Sequence, residues 1–130
     1  MQPEASDKQI LLQRIRNGMI DVLELAADFG SQCTYQRGVP SVSVPNEVIN
    51  QWDDWFGHHD PSRLQPPVFT LEEVDAVMAF DAVWTRVCVK TPNPLPELRV
   101  TQSLPAWWEL REAAQRALGI FIRRGKLPEK

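Results

Sequence analysis

An all-α fold is predicted by three features of this sequence. Four stretches carry apolar residues at intervals of three and four, the period of an amphipathic helix. Almost nothing alternates apolar and polar at every second position, as a half-buried strand does. The 11 prolines fall outside the periodic stretches or at their starts, where they do least harm to a helix. Together these predict one four-helix-bundle-like domain spanning 1–130, with a proline-rich crossover between the third and last helices. Residues 1–5 and 126–130 are expected to be flexible ends.

The first helix is predicted over 6–36. Ser6 is a good N-cap, and Gln9 three residues later completes a capping-box pattern. Leu11, Ile15, Met19, Val22, Ala26, Phe29 and Cys33 form one stripe, widened by Leu12 and Leu23. The stripe keeps its phase through Gly30, so one long helix is preferred over a break there. Gly38 and Pro40 stop it.

V-P-S-V-S-V-P, 39–45, reads as a connection, and its last proline suits the first turn of a second helix at 46–56. Val48, Ile49, Trp52, Trp55 and Phe56 share a face there, and Gly57 is a natural stop. A loop with three prolines follows to 67. The third helix, 70–90, has the clearest start: Thr70 and Glu73 make a capping box, flanked by Phe69 and Val74 at staple positions. Thr91-Pro92 ends it. T-P-N-P-L-P is a braced linker, with room for one further turn at 97–102. Pro105 opens the last helix, 105–124, whose stripe is Trp107, Leu110, Ala114, Ala117, Leu118 and Phe121.

A chain of 130 residues can bury a core large enough to need neither metal nor disulfide. The net charge of −3 argues against nucleic acid, which asks for a basic surface. R-R-G-K near the end is explained by the preference for cations in a last helical turn. No window reaches the ~18 apolar residues of a membrane span. M-Q-P-E-A-S-D-K lacks the basic start and apolar core of an export signal, so a cytoplasmic protein with Cys33 and Cys88 as packed, reduced thiols is expected. No cofactor is expected: glycine-rich phosphate loops, dinucleotide fingerprints and nucleophile elbows are all missing.

W-F-G-H-H-D-P-S-R, 55–63, holds both histidines of the chain. Ligands on a helix sit one turn apart so that both face the metal, whereas neighbours point about 100° apart. The preferred reading is a solvated helix end, with Asp60-Pro61 starting a turn. A loop metal site of His58, His59 and Asp60 is the alternative.

Three further features point to surfaces. Asp21, Glu24 and Asp28 line one face of the first helix with no cation at helical spacing, either a solvated back or an acidic docking strip. Trp52, Trp55, Trp84 and Trp107 lie on predicted core faces. Trp108 points well over 90° from its helix's stripe, beside Arg111, Glu112 and Gln115, and is either covered by the linker or exposed as an interface anchor. Asp81 falls inside the apolar arc of the third helix. It is expected to accept hydrogen bonds from a tryptophan N–H, a backbone amide or an arginine, or else to serve a site.

The functional expectation is a non-catalytic protein that binds another protein or a second copy of itself, as small acidic inhibitors and immunity proteins do. Trp108, Asp21, Glu24, Asp28 and Asp81 are its candidate binding residues. A metal-dependent enzyme using His58, His59 and Asp60 with Asp81 is the competing expectation.

Overall fold

The computed structural model describes residues 6–56 and 60–130, and it is all-α as the periodicity predicts. Among the described residues there is no strand. Six helices follow in order: α1 Asp7–Ala27, α2 Phe29–Gly38, α3 Val44–Trp55, α4 Leu71–Lys90, α5 Leu98–Thr101 and α6 Pro105–Phe121. A 3-10 turn, Pro61–Arg63, lies in the loop before α4. Helix α6 packs against both α1 and α4, while α1 also packs on α3 and α2, giving a bundle with α1 and α6 at its centre.

Of the two capping boxes expected, the one at Ser6 forms in one half only, because the Gln9 side chain donates to Gln13 instead. Ser6 Oγ accepts from the Gln9 N–H at 3.1 Å. At Thr70 both halves of the capping box form, at 3.0 and 3.1 Å. Pro45 and Pro105 sit in first turns, though α3 begins two residues earlier than expected because Ser43 caps it.

The long first helix is not continuous, and its break is at Asp28 rather than Gly30. Asp28 adopts φ −135° and ψ 105°, and its carboxylate caps α2 by accepting from the Ser31 N–H at 3.2 Å. The carbonyls released at the end of α1 find a donor in the buried Gln32 amide, which reaches Leu25 O at 3.0 Å and Ala26 O at 3.4 Å. A good N-cap and a buried amide together stabilise an interruption that apolar phase alone does not reveal.

The last helix closes at Phe121, three residues short of expectation. Arg123 and Arg124 N–H groups turn back onto carbonyls three residues earlier, and Gly125 takes φ +70°, which glycine adopts without steric cost. Beyond it the expected flexible end is tied to α1. Asn17 pairs with the backbone of Leu127 in both directions, at 2.7 and 2.9 Å, and its amide also reaches Glu129 at 2.9 Å. Gln13 donates to the Pro128 carbonyl. Gln13 and Asn17 are buried where the tail meets α1, while Arg14 between them stays exposed.

The core joins Trp52 to Phe80 edge-on at 4.6 Å and Phe69 to Phe121 at 6.4 Å. Three tryptophans are buried as their stripes require, and each indole N–H has an acceptor: Trp52 on Asp81, Trp84 on Ile49 O and Trp107 on Gln32. Trp55 is the exception, remaining 38 % exposed. Its ring lies against Gly18, where a β-carbon would fall 2.2 Å from a ring atom, so the close approach of α3 to α1 requires glycine there.

Charge also enters the core. Arg16 has no exposed surface and pairs with Glu73 at 2.7 and 3.3 Å. It also donates to Gly125 O at 2.5 Å and lies over the Phe121 ring. Arg124 reaches the same carboxylate and the Pro67 and Val68 carbonyls. Burial pushes the Glu73 carboxyl up, but hydrogen bonds from Arg124 and Arg16, then the Thr70 N–H, outweigh it and hold its pKa at about 2 instead of the ordinary 4.5.

Candidate functional site

The break between α1 and α2 brings α5 and α6 onto Phe29, and this junction builds the surface around Trp108. Gln102, just after α5, donates to Phe29 O and to the Gln32 side chain, both at 3.2 Å. Its own carbonyl accepts the Trp108 indole N–H at 2.7 Å. Trp108 is thus held at one edge by the crossover while 51 % of it stays exposed. The linker does not cover the ring as one sequence reading expected; its end at Gln102 only accepts the indole N–H, and the ring is exposed.

Arg111, one turn further along α6, completes the surface. Its guanidinium carbon lies 4.5 Å from the Phe29 ring centroid and 5.4 Å from that of Trp108, within cation–π range of both. Gln115, another turn on, donates to Ala27 O at 3.1 Å and ties α6 to the end of α1. Asp28 precedes Phe29 in the chain, so one end of the acidic line and the Trp108 surface meet at the helix break.

The acidic line itself is largely engaged. Asp28 caps α2, and Asp21 pairs with Lys126 of the docked tail at 2.5 Å. The Lys126 ammonium is held above its ordinary value chiefly by that hydrogen bond, with the charges of Asp21, Glu24 and Glu129 adding to it. Both partners are half exposed, so the pair contributes little to stability. Glu24 is exposed and makes no hydrogen bond or ion pair among the described residues.

Asp81 is 8 % exposed and accepts the Trp52 indole N–H at 2.9 Å, the partner type its place in the apolar arc called for. It lies near Cys88, whose thiol is pushed up by burial and then by the charges of Asp53 and Asp81. A thiol so raised stays protonated and poorly nucleophilic at neutral pH. Asp60 caps the 3-10 turn through the Ser62 N–H at 2.9 Å, and that bond leads the causes holding its carboxyl below the ordinary value. His58 and His59, the other members of the alternative metal site, lie outside the described residues. Among the described residues no group of three or more His, Cys, Asp or Glu side chains is placed to hold a metal ion.

On the other side of Gln102 an open groove of about 990 Å³ runs between α2, the 39–43 connection and α5. Cys33, Arg37, Asn46, Leu95 and Arg99 line it. Neither this groove nor the roles of Gln32, Gln102 and Phe29 was legible from spacing, since their partners come from other helices. The Trp108–Arg111 pair was, as residues three apart on a helix.

No protein-family model matches this chain, and no curated protein or solved structure matches it.

Proposed function

We propose that the protein acts by binding another protein through the surface formed by Trp108, Arg111 and Phe29, with Glu24 and Asp28 on its acidic side. The observation that carries this reading is the state of Trp108: half exposed, yet fixed by the hydrogen bond of its N–H to Gln102 O. An exposed aromatic ring held in one position loses little conformational freedom on association, which is how anchor residues contribute most. Its neighbours, a stacked arginine and a second ring, are of the types that concentrate binding energy at interfaces.

The experiment starts with the full chain immobilised beside its Trp108→Ala variant. A protein retained by the first is identified, purified and measured directly. Trp108→Ala should speed its dissociation at least tenfold, and Glu24→Lys should slow its association more at low salt than at high. A purified partner bound with unchanged kinetics by Trp108→Ala overturns the reading. Concentration-dependent association of the chain with itself, lost in Trp108→Ala, would make the partner a second copy.

A further inference from the structure

We infer that Arg111 is the receiving group for a carboxylate on the partner protein, the side chain of a glutamate or aspartate. This rests on the binding surface proposed above and names the chemistry of what docks there.

The two arginines that reach Glu73 are given acceptors. Arg16, fully buried, has the Glu73 carboxylate and the carbonyls of Gly125 and Phe121. Arg124 has Glu73 and the carbonyls of Pro67 and Val68. Arg111 is also partly buried, yet among the described residues it donates no hydrogen bond and enters no ion pair. Its Nε is buried and has no hydrogen-bond partner among the described residues.

What holds Arg111 is the two rings, at 4.5 and 5.4 Å. Ring contacts fix the plane of a guanidinium without using its N–H groups, which leaves its terminal donors committed to nothing in the protein. A partly desolvated cation without a counter-charge is costly, and a partner's anion removes that cost on docking. The planar fork of donors matches a carboxylate in two parallel bonds. Carboxylate is favoured over phosphate because Asp28, which is exposed and directly precedes Phe29, repels a dianion more than a single charge.

The test uses the full chain and propionate, which carries the head group of a glutamate side chain. Arginine Nε–H and tryptophan indole N–H signals are followed by ¹H–¹⁵N NMR while propionate replaces chloride at constant ionic strength. The Arg111 and Trp108 signals should shift to saturation, with the buried Trp107 indole unmoved as a check on the fold. Arg111→Lys keeps the charge and should lose the saturable response, whereas Arg116→Lys, an exposed arginine on the same helix, should keep it. Three results overturn the inference: no saturable shift, a saturable shift that survives in Arg111→Lys, or inorganic phosphate saturating Arg111 below the concentration that propionate needs. The two proposals fail separately. If propionate leaves Arg111 unmoved while Trp108→Ala still speeds release of the partner, only the carboxylate assignment falls. If propionate binds but the partner ignores Trp108→Ala, only the docking surface falls.

Discussion

Glu73→Gln removes the anion that Arg16 and Arg124 share inside this protein, and its cost follows from the geometry. The side chain is almost isosteric, so the cavity contribution is small and the change is mainly one of charge. Arg16 is left with no exposed surface and no counter-charge, while Arg124, a third exposed, can turn to water. Breaking a buried pair from one side costs about 3–5 kcal/mol. The same interaction can be expressed through the ionisation of Glu73. Its carboxyl is held at about 2 against the ordinary 4.5, and at ~1.4 kcal/mol per unit this is worth about 3 kcal/mol of stability. Because the folded value is the depressed one, that stabilisation is present above pH 4.5 and is lost as pH falls from 4.5 toward 2. Against a total of about 5–15 kcal/mol for a domain, the loss is large enough to measure by urea unfolding at a series of pH values. Wild type should lose about 3 kcal/mol between pH 4.5 and 2 beyond what Glu73→Gln loses over the same range. At pH 7 the variant should be about 3–5 kcal/mol less stable. A difference below ~1 kcal/mol at pH 7, or parallel acid profiles for the two proteins, would refute the claim that this carboxylate is a buried counter-ion.

Two other changes probe the interior. Asp81→Ala should destabilise by about 1–3 kcal/mol because the Trp52 N–H loses its acceptor, and Asp81→Asn, which keeps a carbonyl oxygen there, should recover part of it. Equal stability of the alanine variant and wild type in urea would mean that the bond carries no weight. Gly18→Ala, which in an exposed helix interior would gain ~1 kcal/mol, should instead destabilise, since the new methyl displaces the Trp55 ring. In a Trp55→Ala background the same change should stabilise, and thermal melts of the four proteins in that cycle decide between the two signs.

Much of the fold was written locally. The four periodic stretches, the Thr70–Glu73 capping box and the prolines in first turns determined where most helices begin, because caps and φ restrictions act within three or four residues. The direction of Trp108 away from its stripe and of Asp81 into one were equally local, as consequences of the 100° step of the helix. The proposed surface was therefore half legible: its exposed ring and adjacent arginine could be read, but not what positions them. Phe29 was counted into the core stripe of an unbroken helix, and only the break at Asp28, the buried Gln32 amide and the reach of Gln102 place its ring under Arg111. Arg16 shows the same limit in the interior. Spacing reports which face of a helix is apolar, and Arg16 is polar, so nothing local marks it for burial. Its counter-ion lies 57 positions away and its carbonyl acceptor 109, and a charge can leave water only where such partners arrive together from other helices. The tail follows suit: Leu127 is fixed because Asn17 presents a donor and an acceptor to its backbone, a match that exists only once α1 and α6 lie side by side.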